Sequence, residues 1–570
     1  MQHWILLGPF FKRHRSKLSV LSLVGIFSGM SAIFLPVSIG KYYTLMFDFE
    51  SKRTAFLDFL PAFLFSSVPN FLLFFSTLIA INMMLAYARR YLMASMGERL
   101  TYELRNKLFA HQLRLKTRIY EEKGVGKYLL RYSGDLKSIQ NYLTKGIIGF
   151  GIDVFMILLF LWVLSRISDS LTIISFFAIL FMIFPLSILN YKLQDISEQR
   201  RNQKSGLLAF VSQRLQAIIT VKAFNRERPE WERFLKRSTK NFNTNLRFHR
   251  VSALIFVLVP GLLYVMIAII MYTIHWQKDQ GIQIDQAALL SAFLLIITML
   301  PVMRRCLRIM VCWKLGIISI RKLQHVLDLP IEQGNFQDEL ILGEGNIKLD
   351  KLSFGPPNQR IFQNLSTDWS HQGLHLVTGG TGSGKSLLIK ILLGIYADYE
   401  GDIYIDEQNI RQSDVKSLRK MLTVISEDYP LLGKTVFEAI SYSRKASKRK
   451  GAGLMLNKVQ QDLPESAKLN LDDRIGSLGQ GLSKGQERIL LFTRALLTRK
   501  PILLLDEPFS SIEPHIQQHL LKLIRKLKKK RTIILFLKQN NWPKLNFDSV
   551  LDLDAYKSAI SQPIMRKLGS

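Results

Sequence analysis

The chain has 570 residues, 48% hydrophobic and 21% charged, with a formal net charge of +33. That is too apolar for a disordered chain, and the length allows about two to four domains. The basic runs flank apolar blocks, as in FFKRHRSK before the first and RRCLR after the last, which fits basic cytoplasmic loops of a membrane protein; nucleic acid is not an expected partner.

The opening MQHWILLGPFF lacks a small-residue cleavage site and reads as an interfacial amphipathic helix. Six apolar blocks follow, at 18–42, 62–88, 147–164, 171–193, 251–274 and 287–303, each close to the roughly 20 residues a spanning helix needs. The loops after the first, third and fifth blocks are short. Those after the second and fourth are long, basic and helix-patterned, as spanning helices that continue beyond the membrane would be. Gly124, Gly126 and the SGD at 133–135 punctuate the first return, and NRERPE at 225–230 the second. The positive-inside rule puts the N-terminus, both long loops and everything after Arg304 in the cytoplasm; the expected location is a cell or inner membrane. Cys306 and Cys312 form no CxxC pair and imply neither a disulfide framework nor zinc.

From Gly345 the pattern changes to short β-rich runs alternating with helical segments, an α/β domain with a largely parallel sheet. The expected organisation is a membrane domain over 1–325, a linker over 326–345 and a nucleotide-binding domain over 346–570. The basic RKLKKKR at 525–531 reads as a solvated helix end.

GGTGSGKS, from Gly379 and Gly380 through Thr381, Gly382, Ser383 and Gly384 to Lys385 and Ser386, follows a strand-like run and opens a helix-like one. This is the setting in which such a loop wraps its N–H groups around phosphates, with the lysine on the β/γ-phosphates and the hydroxyl on Mg2+. ILLLDEP is a buried strand ending in two carboxylates. Asp506 is placed to hold Mg2+ and Glu507 to polarise the attacking water.

Between them stands LSKGQERILLFTRALLTRKP. With the phosphate loop before it and LLLDEP after it, this resembles the signature of the ATP-binding cassette family. The resemblance covers nearly the whole chain: six spanning helices and one cassette resemble an exporter-type half-transporter. It implies an α-helical six-span membrane domain with long cytoplasmic extensions, then an α/β P-loop NTPase domain. It also implies ATP and Mg2+, and a second half-transporter, the same or different. Ser483, Gly485 and Gln486 of one chain would face ATP held by Lys385 of the other. The turns near Asp135 and at 225–227 would couple the cassette to the membrane helices.

The chain departs from that pattern at several places. Glu427 stands where the family has a metal-linking Gln; a carboxylate there can still approach Mg2+. Lys538 stands where the family has a switch His; it brings a fixed cation that only donates, and slower hydrolysis is expected. Phe354 is either the adenine-stacking aromatic or a core residue of its strand. Glu513 replaces a usual Asp. A partner subunit of a heterodimer and an ATP-gated regulator or channel are alternatives to a self-sufficient pump. Cargo is the least determined feature. The family points to an amphipathic lipid or peptide, and Arg304, Arg305 and Arg308 either attract an anionic headgroup or anchor the chain at the membrane.

Overall fold

The computed structural model describes residues 2–47, 62–124, 128–129, 131–280, 286–307, 309–332, 339–341, 343–356, 360–538, 543 and 545–557. Gly126 and Arg308 therefore lie outside the described residues. The chain divides into two compact units, Met1–Leu115 with Ile119–Ile331, and Lys116–Arg118 with Glu332–Ser570.

The first unit is built from helices: α1 (Gln2–Arg13), α2 (Arg15–Phe47), α3 (Val68–Gln112), α4 (Phe150–Ile167), α5 (Asp169–Gln216), α6 (Glu227–Asp279), α7 (Gln286–Leu307) and α8 (Ile309–Leu327). Among the described residues, six stretches are long and apolar enough to cross a membrane: Arg15–Thr44, Val68–Gln112, Leu136–Ile167, Asp169–Gln216, Glu227–Gln277 and Leu289–Leu327. α3, α5 and α6 have 45, 48 and 53 residues. At about 1.5 Å per residue each is roughly twice as long as a hydrocarbon core is thick, so each continues well beyond it. Close packing of α2 on α4 rests on two glycines one turn apart. A Cβ on Gly25 would come 2.3 Å from Ile152 Cδ1, and one on Gly29 would come 2.2 Å from Met156 Sδ.

Four local expectations change. The second spanning helix starts at Val68 rather than 62, because Ser67 caps it by accepting from Asn70 N at 3.5 Å and Pro69 occupies its first turn. α1 has its apolar face covered by its own chain: Leu6, Leu7 and Phe10 are 8%, 2% and 3% exposed within the unit's core. The SGD at 133–135 is not a turn. It lies in a π-helical segment, Arg131–Asp135, that runs on into Leu136–Asn141. The buried Asp135 carboxylate holds it there through Arg131 at 2.6 Å and through Arg201. At the second return Asn225 takes the left-handed conformation (φ 48°), and Glu227 already begins α6, with Pro229 tolerated in its first turn.

The second unit carries two sheets. β1 (Ile347–Phe354), β2 (Phe362–Trp369), β4 (Glu400–Ile405) and β5 (Gln408–Asn409) form an antiparallel sheet in the order β2-β1-β4-β5. β3 (Leu374–Thr378), β6 (Leu422–Ile425), β7 (Ile502–Asp506), β8 (Thr532–Leu537) and β9 (Ser549–Asp552) form a parallel sheet in the order β6-β7-β8-β3-β9. Ile502 to Leu505 of β7 are wholly buried, as a central parallel strand covered on both faces must be. This order brings the ends of β3, β6, β7, β8 and β9 to one edge of the sheet, where ligands of parallel α/β sheets bind.

Candidate active site

The loop after β3 runs from Gly379 to Gly384 and opens helix α9 (Lys385–Leu392). Gly384 has φ 95°, and a Cβ there would meet Ile361 Cγ2 at 2.9 Å, so the position needs glycine twice over. Gly382 has φ 78°. Thr381, Gly382 and Ser386 are exposed, whereas Gly379 and Ser383 are buried. Lys385 is 8% exposed. Its Nζ donates to Gly379 O at 2.6 Å and Gly380 O at 3.0 Å, and lies 3.4 Å from Ser383 Oγ. Burial pulls its pKa below that of an ordinary lysine, opposed by the nearby Glu507, Asp506 and Asp554.

Asp506 ends β7. Its Oδ2 accepts from Ser426 Oγ at 3.0 Å and from Ser386 Oγ at 3.4 Å. Burial pushes the Asp506 carboxyl up, against the two hydroxyl donors. The next residue, Glu507, has φ 42° and donates its N–H to Phe536 O at 2.9 Å. Its Oε2 lies 3.2 Å from Lys538 Nζ, just beyond β8. The sheet therefore gathers Lys385, Ser386, Asp506, Glu507 and Lys538 at one edge.

The signature stretch opens helix α10 (Lys484–Leu497) with a capping box. Gln486 N donates to Ser483 Oγ at 3.1 Å, and Ser483 N donates to Gln486 Oε1 at 3.0 Å. Such a cap stabilises a helix by about 1 kcal/mol. Gly485 is buried, and a Cβ on it would strike Ile516 Cδ1 at 2.3 Å.

Glu427 follows Ser426 directly, but its carboxylate is held by other groups. Arg488 Nη2 of α10 donates to it at 2.8 Å, and Lys484 Nζ lies at 3.5 Å. Phe354 is half-buried, its ring 5.8 Å from Tyr396 and 6.4 Å from Phe362. Glu513 precedes helix Pro514–Lys528 without capping it and lies 3.3 Å from His515.

Three residues of the site were not singled out in the sequence: Ser426, Arg488 and Asp554. Asp554 Oδ2 accepts from Gly380 N at 2.6 Å, on the phosphate loop itself. No local pattern marks it; only the pairing of β9 with β3 brings it there.

The description "ABC transporter transmembrane region" matches residues 18–300, and "ABC transporter" matches residues 362–510. An ATP-dependent lipid A-core flippase of Francisella tularensis subsp. holarctica (strain OSU18) is 21% identical over 468 residues, 80% of this chain and 76% of that protein. Another, from Nitrosococcus oceani, is 24% identical over 449 residues, 77% and 74% of the two chains. A solved structure, "Structure of a bacterial Atm1-family ABC exporter with ATP bound", superposes with a TM-score of 0.77 at 18% identity, over 96% of this chain and 94% of that one, and so shares its fold.

Proposed function

We propose, for a chain that belongs to the ATP-binding cassette transporter family as an exporter-type half-transporter, that two such chains pair and move a lipid with an anionic headgroup. The chain is an integral membrane protein and an ABC-type ATPase coupled to transport. Its relatives are named as lipid A-core flippases, which favours the lipid side of an amphipathic cargo over the peptide side.

One observation carries the choice of an anionic headgroup. Within the first unit, a cavity of about 680 Å³ is lined by the cations Arg89, Arg90, Lys137, Lys145 and Arg305, with Asp153 and Glu98 among them. Arg89 and Arg90 directly follow the apolar run of α3, so the cations stand where a bilayer's headgroups begin. Arg305 is already shared with Asp153, at 2.6 Å from Nη2 to Oδ1, which leaves Arg89, Arg90, Lys137 and Lys145 as the main attraction for an anion.

In the cassette, Lys385 and the N–H groups of the loop bind the phosphates, and Ser386 and Asp506 supply hard oxygen donors that suit Mg2+. Bound there, Mg2+ would neutralise charge on the β- and γ-oxygens. Glu507 orients and deprotonates the attacking water, while Ser483, Gly485 and Gln486 face the nucleotide of the partner chain. The cassette and the N-terminus lie in the cytoplasm.

The test is ATP turnover of the full chain in nanodiscs of zwitterionic lipid, with a phosphorylated glycolipid titrated in. Saturable stimulation that is blunted in Arg90→Gln supports the reading. Equal stimulation by a zwitterionic lipid overturns the headgroup assignment. The Lys538–Glu507 pair favours a second reading, in which this chain is the slower half of a heterodimer. A purified chain that binds nucleotide but turns over only with a co-purified partner supports that reading instead.

A further inference from the structure

We propose that Glu427 is the counter-ion of a buried arginine, latching the signature helix to the sheet, and that it is not a ligand of the metal. The proposal rests on the ATPase reading of the cassette, and one arm of its test does not depend on turnover.

The guanidinium of Arg488 is enclosed, with a side chain only 2% exposed. A buried cation is costly unless a counter-charge meets it. Among the described residues its Nη1 has no hydrogen-bond partner, and its Nη2 donates to Glu427 Oε1 at 2.8 Å. Glu427 is thus the anion that makes this buried arginine tolerable. Lys484, at the first position of the same helix, adds a second cation at 3.5 Å from the same oxygen, and its own pKa is raised chiefly by its bond to Glu487. Both cations belong to α10, one helical turn apart, so the carboxylate grips the first turn of the helix that Ser483 caps.

The neighbouring residue faces the other way. Ser426 donates to Asp506 Oδ2 at 3.0 Å, at the end of β7. Two consecutive residues therefore tie two functional elements together, Ser426 to the metal-binding aspartate and Glu427 to the signature helix. The peptide unit between Ser426 and Glu427 thus links Asp506 to the first turn of α10, which Ser483 caps. In a paired cassette Ser483 and Gly485 serve the other chain's nucleotide, so the latch couples one site to the next.

The experiment compares the full chain with Glu427→Ala, Arg488→Met and the double variant. Glu427→Ala leaves a buried, unpaired guanidinium, and its melting temperature is expected to fall by about 5 °C. The double variant leaves no buried charge and is expected to regain at least half of that loss. Turnover is read in parallel: Glu427→Ala should lower kcat about fivefold while shifting the Mg2+ half-saturation less than about twofold. Additive losses in the double variant, with no thermal rescue, overturn the latch. So does a Mg2+ half-saturation raised about tenfold by Glu427→Ala alone, which is the behaviour of a ligand. A wild-type chain without turnover would count against the ATPase reading, and the melting series would still decide the latch.

Discussion

Lys538 Nζ lies 3.2 Å from Glu507 Oε2, so the carboxylate expected to activate water already has a cation on it. The Lys538 side chain is 57% exposed, and such a pair contributes at most about 1 kcal/mol. That is weak enough for a phosphate to displace, yet enough to hold Glu507 back as a base. Replacing Lys538 with His removes the fixed charge and retains a donor and an acceptor. Lys538→His is expected to raise kcat about threefold, a change of the size that losing a surface pair allows. Glu507→Gln is expected to abolish turnover while leaving ATP binding in place. Steady-state hydrolysis in nanodiscs, beside equilibrium binding of ATP, checks both.

Asp506 sets a pH dependence. Burial raises its pKa above the ordinary carboxylate range, with Glu507 and Asp428 adding to the shift and the hydroxyls of Ser426 and Ser386 opposing it. A raised carboxyl pKa means that the folded cassette binds this proton more tightly than the unfolded chain does. Its contribution to stability is therefore full below the ordinary value and lost as pH rises through the raised one. With Mg2+ held as proposed, the proton would also compete with it for the same oxygen. Acidification should weaken Mg2+ at a higher pH than an unperturbed aspartate would, and Ser426→Ala, which removes an opposing donor, should move that point higher still. The Mg2+ half-saturation of turnover, measured from about pH 5 to pH 8, is the check.

The motifs were legible because each is local. Glycine spacing before a helix, a buried strand ending in two acids, and runs of about 20 apolar residues need no tertiary information. What escaped depends on partners distant in sequence. Glu427 meets Arg488 only because α10 returns beside β6, and Asp554 meets Gly380 across 174 positions because β9 pairs with β3. The same limit explains the SGD at 133–135: its glycine and serine suggest a turn, but the buried Asp135 binds Arg131 and Arg201 and keeps the backbone helical. Likewise MQHWILLGPFF shows an apolar face but not what covers it, and α1 lays Leu6, Leu7 and Phe10 on its own chain.

Asp554 places a negative charge on the phosphate loop. Its pKa is lowered, first by Lys557 and then by Gly380 N–H, so it is ionised at neutral pH. An Asn at this position keeps an oxygen for Gly380 N–H and removes the charge that opposes phosphate. Asp554→Asn is expected to tighten ATP binding about twofold to fivefold, as loss of one screened like charge would. The loosened pair with Lys557 should cost little stability, being partly exposed. Titration of a non-hydrolysable ATP analogue decides it, and weaker binding would mean that the carboxylate is needed to shape the loop.

The Asp153–Arg305 pair of the membrane unit carries the last prediction. Arg305 reaches the buried Asp153 with Nε at 3.0 Å from both oxygens and with Nη2 at 2.6 Å from Oδ1. This joins α4 to α7, two helices of a cavity whose charged lining is mostly basic. Arg305→Gln strands a buried carboxylate and should destabilise the unit by about 2 kcal/mol. Asp153→Asn leaves a guanidinium that is itself half exposed, and should cost clearly less. It also frees Arg305 for cargo. Asp153→Asn is therefore expected to lower the concentration of anionic lipid that half-stimulates turnover, whereas Arg305→Gln should raise it. Thermal unfolding in detergent separates the first pair of effects, and lipid titration of ATP hydrolysis separates the second. Opposite signs in the lipid titration would place the cargo's charge elsewhere in the cavity.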